Sequence, residues 1–145
     1  MQTFAVQLTG YCLGARGGAA ATLLYTAVGL AGIPVFASGG GLAYVLSPTF
    51  GYILGFTACA LVTGILARFN KQGSVFTAYI IMLTGLVGIY IPGILWLIVA
   101  LRWIAEVPAP VATLLKAGLF IPLIGDLITT IPAAALSVRL RKILS

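Results

Sequence analysis

The run from Val75 to Leu101, VFTAYIIMLTGLVGIYIPGILWLIVAL, contains no charged residue and is long enough to cross a bilayer. A hydrocarbon core about 30 Å thick takes roughly 20 apolar residues of α-helix. This stretch exceeds that length, and Pro92-Gly93 near its middle predicts a kink. The same pattern repeats on both sides. Upstream, an apolar run starts at Pro48-Thr49, a proline-first helix start, and ends at Arg68, with Asn70, Lys71, Gln72 and Gly73 as a polar loop. Earlier still, Thr3 to Leu13 forms a short first span and Gly14-Ala15-Arg16-Gly17-Gly18 a tight turn. Ala19 to Ile33 forms a second span that stops at Pro34. Downstream, Arg102, Trp103, Glu106, Pro108 and Pro110 mark an interface. Val111 to Phe120 then reads as a short interfacial or re-entrant piece. The last helix is predicted to start at Pro122 and to end at Arg139, Arg141 and Lys142. The chain thus reads as an all-α integral membrane protein of about five spans, a single transmembrane domain over residues 1–145.

Composition supports this and excludes other classes. Of the 145 residues, 61% are hydrophobic and 7% charged, and the mean hydropathy is +1.18. A soluble domain carries about 25% charged residues to face water. The apolar runs are continuous, whereas β-barrel strands alternate polar and apolar residues. The net charge of +6 does not signal nucleic acid, because the bases stand singly or in pairs at the ends of apolar runs. Cys12 and Cys59 lie inside apolar stretches and read as small packing residues. No Lys or Arg precedes the first apolar run, which argues against a signal peptide; the chain opens as if mid-fold.

The bases also give the bundle a direction. With alternating spans, Arg16, Arg68, Lys71, Arg139, Arg141 and Lys142 share one side, and Arg102 falls on the other. The richer side is cytoplasmic by the positive-inside rule, which places the C-terminus inside a plasma membrane. The irregular stretch 34–41, ending in Gly39, Gly40 and Gly41, and the segment 102–125 then both face outward. A site is expected there.

Asp126 is the sharpest candidate, one of two acids in the chain. Ionisable groups within membrane segments are costly and mark function. Placed in the first turn of the last helix, its carboxylate would be favoured by the helix dipole. It reads either as an acceptor for ligand N–H groups or as a cap without a ligand. Tyr52, Tyr90 and Trp96 read as interfacial aromatics or as the walls of a pocket for an apolar ring. Lys116 reads as a snorkelling base or as the partner of an anionic group. The spacings Gly10-x-x-x-Gly14, Gly14-x-x-x-Gly18 and Gly51-x-x-x-Gly55 suit close helix packing, within the chain or against a partner. Catalysis has little support. The chain has no histidine, so Ser-His and Cys-His nucleophile pairs and His-based metal sites are absent. The glycine run lacks the trailing Lys-Ser/Thr of a phosphate loop.

An ordered set of motifs resembles one family. Gln2-Thr3-Phe4-Ala5-Val6, Leu13-Gly14-Ala15-Arg16-x-Gly18, Leu23-Leu24-Tyr25 and Gly29-Leu30-Ala31-Gly32-Ile33-Pro34-Val35-Phe36 come first. Gly39-Gly40-Gly41 and Pro48-Thr49-Phe50-Gly51-Tyr52-x-x-Gly55-Phe56 follow, then Ile89-Tyr90-x-x-Gly93-x-x-Trp96 and Phe120-Ile121-Pro122 with Gly125-Asp126-Leu127. Together they resemble BioY, the biotin-binding S component of energy-coupling factor (ECF) transporters. The resemblance implies a six-helix fold whose first helix is missing here. It also implies biotin capture on the outer face and uptake with a transmembrane coupling subunit and two ATPases. No cofactor is implied for the chain itself; ATP serves the partner subunits. By resemblance, the loop around Gly39 and Gly40 covers the ligand and Asp126 accepts hydrogen bonds from the ureido ring. Two departures stand out. Thr129 occupies the place of a lysine suited to the biotin carboxylate, so Lys116, Arg102 or neutral donors would take that group; and Leu123 and Ile124 are extra residues before Gly125. The missing helix is one that docks the coupling subunit, so weak partner binding is expected. An S component for another vitamin and a membrane assembly subunit without a ligand are the alternatives.

Overall fold

Gly14 turns the chain back on itself at the outset. In the computed structural model, which describes residues 2–104 and 110–144, helix α1 (Gln2–Leu30) contains one non-helical residue, Gly14, at φ 72° and ψ 179°. A side chain there would meet the left-handed penalty that glycine avoids. The two arms of α1 lie side by side: the Gln2 amide donates to the Tyr25 hydroxyl at 2.7 Å, and a Cβ on Gly18 would sit 2.7 Å from the Gly10 Cα. Gly10 in turn abuts Ala60 of α2 (Phe50–Leu66), where a Cβ would come within 2.7 Å of the carbonyl oxygen. Gly55 meets α3 (Val75–Val99) the same way, 2.6 Å from the Ile89 Cα. The small-residue spacings therefore serve a turn and packing within this chain.

Between α1 and α2 the glycine stretch folds onto the bundle. The Phe36 and Gly39 backbones pair in both directions, and the Gly41 N–H donates to the Gly29 carbonyl at 2.7 Å. Phe36 is buried against Gly29 and meets Tyr25 edge-on at 5.5 Å. A short 3₁₀ turn, Leu42–Leu46, leads to α2.

At the opposite end, Asn70 donates to the Tyr11 hydroxyl at 2.7 Å and to the Ser74 carbonyl at 2.8 Å. Ser74 caps α3 by accepting from the Thr77 N–H. Arg141 donates to the Ala67 carbonyl and lies over the Tyr11 ring, 5.5 Å from its centre. The Gly14 turn, the 67–74 loop and the C-terminal bases thus meet at one end of the bundle, the polarity expected from the charge count.

The last part of the chain departs from the sequence reading. Helix α4 (Val111–Leu115), a π-wound stretch at Lys116–Phe120 and helix α5 (Ile121–Leu144) run on without a break. Residues 111–120 are the N-terminal end of the final helix and not a separate interfacial piece. Asp126 stands inside this long helix and not in its first turn, so the dipole of a helix start does not reach it. The physical reason lies at Pro122. A proline removes one N–H and crowds the carbonyl four residues back; here that carbonyl is Gly118, which accepts from the Tyr52 hydroxyl at 2.6 Å. The preceding π turn widens the coil where the ring must fit. α3 likewise continues through Pro92 and ends in a π-wound stretch, Ala100–Ile104.

Among the described residues, Phe50–Phe69, Val75–Ile104 and Ala112–Ile143 are each long and apolar enough to cross a membrane; with the two arms of α1 they make five rods that alternate in direction along the chain. Large apolar side chains such as Leu24, Leu95 and Ile128 point outward, as a lipid-facing surface requires. Glu106 and Pro108, read as interface markers, lie outside the described residues.

Candidate functional site

In the half of the bundle away from the cluster of Arg141 and its neighbouring bases, α1, α2, α3 and α5 part around a cavity of about 360 Å³. Small-molecule sites run from about 300 to 1,000 Å³, mostly apolar with a few placed polar groups. The walls follow that pattern. Ile53, Phe56, Ile89, Leu97, Leu101 and Leu114 supply the apolar surface, and Thr3, Tyr44, Thr49, Tyr52, Tyr90 and Asp126 supply the polar atoms.

Among the described residues, Asp126 is the one charged residue that lines the cavity. Its Oδ2 accepts from the Tyr90 hydroxyl at 2.7 Å. Its carboxylate makes no ion pair with any described residue. Tyr90 is buried and meets Tyr52 edge-on at 6.1 Å, with the rings at 88°. Tyr52 is held at both ends: its hydroxyl by Gly118, its ring by Gly93, where a Cβ would intrude to about 2.5 Å. Pro122, which frees the Gly118 carbonyl, and Gly93 thereby fix one aromatic wall.

Behind Asp126 lies a buried polar layer. The Asp126 carbonyl accepts from the Thr130 hydroxyl at 2.6 Å, and that hydroxyl lies 3.1 Å from both side-chain polar atoms of Gln7. Gln7 also reaches the Met82 carbonyl at 3.4 Å. Gln7 and Thr130 are fully buried. A glutamine amid apolar residues was the available signal, and the sequence reading passed over it.

Asp126, Tyr52 and Tyr90 converge on the cavity. Gly39 and Gly40 do not line it; they belong to the loop that delivers Ala37 and Tyr44 to its rim. Trp96 sits outside, its indole N–H donating to the Ser47 carbonyl at 3.0 Å and its ring edge-on to Phe50 at 6.0 Å. Lys116 and Arg102 are exposed, and neither is a wall residue. Thr49 was not singled out in the sequence, yet its hydroxyl joins those of Tyr44, at 3.0 Å, and Ser47, at 2.9 Å, near the cavity mouth. Among the described residues no group of His, Cys, Asp and Glu could hold a metal ion.

A bundle of lipid-facing helices around a ligand-sized, largely apolar cavity with one carboxylate defines a membrane-embedded small-molecule binding protein. The chain belongs to the BioY family, whose family model matches residues 1–145. A probable biotin transporter BioY from Lysinibacillus sphaericus is 34% identical over 143 residues, covering 99% of this chain and 73% of that protein. The biotin transporter BioY of Thermotoga maritima is 32% identical over 145 residues, covering 99% and 80%. The crystal structure of the S-component for biotin from an ECF-type ABC transporter matches with a TM-score of 0.81 at 28% identity, covering 98% of this chain and 74% of that one. The family is one of transporter components and not of enzymes.

Proposed function

We propose that this protein captures biotin from the side of the membrane opposite its bases, as the S component of an ECF-type transporter. The observation that carries this reading is the Asp126 carboxylate, oriented by Tyr90 in a largely apolar cavity. A ureido ring presents N–H donors, and hydrogen bonds from them to a carboxylate in a dry site are strong. The fused ring system would lie against Phe56, Tyr90 and Ile89, with Tyr52 as an edge-on wall.

The valerate carboxylate is assigned to neutral donors, since among the described residues the cavity walls hold no cation. Thr49 and Tyr44 offer hydroxyls at the mouth. Tyr90 packs at the level of Phe56, and Thr49 lies seven residues up the same helix edge, about 10 Å at 1.5 Å per residue. That spacing suits an extended ligand with a polar group at each end. The loop around Gly39 and Gly40 would cover this mouth through Ala37 and Tyr44.

In this reading the bases at the other end face the cytoplasm, the C-terminus lies inside, and uptake is driven by a coupling subunit with two ATPases. Equilibrium binding of labelled biotin to the purified protein tests the proposal, with desthiobiotin and a ureido-modified analogue as competitors. Tight binding with competition that depends on an intact ureido group is expected. No binding, or competition indifferent to the ureido group, would exclude it and favour another vitamin.

A further inference from the structure

The basic end contains a second recess, far from the biotin cavity. It measures about 250 Å³ and is walled by Tyr11, Asn70, Lys71, Gly73, Arg141 and Lys142. We propose that this recess binds the phosphate of an anionic lipid headgroup in the cytoplasmic leaflet.

Four observations carry the assignment. The first is charge. Three cations line the recess, with Arg16, Arg68 and Arg139 in the same end of the bundle. The chain has two acids; Asp126 faces the other cavity, and among the described residues no carboxylate enters this one. The second is construction. Arg141 is fixed by the Ala67 carbonyl and the Tyr11 ring, and Asn70 bonds Tyr11 and Ser74. Lys142 runs along the turn at Gly73, where a Cβ would come within 3.4 Å of its Cε. The cations therefore surround a space that their own framework keeps open.

The third is level. The recess lies where α2 and α5 end and α3 begins, the depth of headgroup phosphates for helices of this length. The fourth separates a lipid from a soluble phosphate. Phe69 and Phe76, 76% and 74% exposed, flank the recess in sequence on either side of the loop, and apolar groups beside a basic pocket suit a molecule that is charged at one end and oily at the other. Basic pockets between helices on the cytoplasmic side are a general means of lipid headgroup recognition.

The test is thermal stability of the purified protein in neutral detergent, titrated with phosphatidylglycerol, phosphatidylcholine or inorganic phosphate. Native mass spectrometry counts the lipid retained. Phosphatidylglycerol should be retained and raise Tm, and phosphatidylcholine should not. In the Lys71→Gln/Lys142→Gln double variant the apparent affinity for phosphatidylglycerol should fall about tenfold or more, because each base near the surface contributes to the attraction. Lys71→Arg/Lys142→Arg should retain it. Both lysines are exposed, and unchanged biotin binding reports an intact fold in each variant. Equal response to both lipids, or undiminished selectivity in the glutamine variant, would overturn the proposal. Equal stabilisation by inorganic phosphate would reassign the recess to a soluble anion and overturn the lipid. Loss of assembly with the coupling subunit, without any lipid selectivity, would reassign it to a protein partner.

Discussion

Asp126 accepts one hydrogen bond from Tyr90 and presents the rest of its carboxylate to the cavity. Asp126→Asn replaces a two-oxygen anion by an amide that is half donor, so biotin affinity should fall by more than about tenfold, read by equilibrium binding. Tyr90→Phe keeps the ring but releases the carboxylate, and should weaken binding roughly three- to tenfold at little cost in stability. Gln7→Leu acts on the fold instead. It removes the bonds Gln7 makes to Thr130 and to the Met82 carbonyl while Thr130 keeps the Asp126 carbonyl, and should destabilise the protein by about 0.5–1.5 kcal/mol, the net worth of a typical hydrogen bond, measured by thermal unfolding in detergent. Asp126 was legible because an acid in a chain with two is conspicuous. The Gln7–Thr130 pair was not. The two residues lie 123 positions apart, and neither type is rare enough alone to mark a partner so distant.

Helices α1 to α3 follow the sequence signals closely, because glycine turns and polar loops break the apolar runs at their ends. The final helix does not, and Pro122 is the reason. In sequence, a proline after an apolar segment reads as a helix start. In the folded bundle the Tyr52 hydroxyl takes the Gly118 carbonyl that an N–H at position 122 would otherwise bond, and a membrane helix tolerates proline when a neighbour satisfies the freed group. That donor comes from 66 positions away, beyond any local pattern. Pro122→Ala restores a competing N–H, and Tyr52→Phe removes the donor. Each should weaken biotin binding several-fold, and the double variant should be no worse than the poorer single one, because residues that share a contact are not additive. Additive losses in the binding cycle would separate the two roles. Gly14→Ala places a methyl at φ 72° and should cost about 1–2 kcal/mol, seen as a lower Tm with the binding site intact.

Over the whole molecule, the two ends differ in chemistry. One gathers the basic side chains around Tyr11 and Asn70; the other holds the hydroxyls of Tyr44, Ser47 and Thr49 and the mouth of the cavity. Orientation is testable in a Cys12→Ser/Cys59→Ala background. A cysteine at Ser38 should react with a membrane-impermeant maleimide on intact cells, and one at Lys142 only after permeabilisation. The reverse pattern would invert the topology. The gathering of bases at one end was legible, since Arg16, Arg68, Lys71, Arg139, Arg141 and Lys142 stand at the ends of apolar runs in the sequence. The cavity was legible only in part: its acid and two tyrosines were visible in the sequence, but the hydroxyl at Thr49 and the apolar walls depend on which helix faces meet.

The unbroken helix from Val111 to Leu144 has a mechanical consequence. Asp126 and Arg141 ride on one rod, fifteen residues or roughly 22 Å apart, one on the cavity wall and the other clamped to the 67–74 loop. The helix continues through Pro132 between the two residues, and one continuous helix needs no chain of rearranging side chains to carry a signal. A tilt of a few degrees at the cavity end would displace the basic end by roughly an ångström or two over that length, and the Arg141 clamp is where such leverage would be felt.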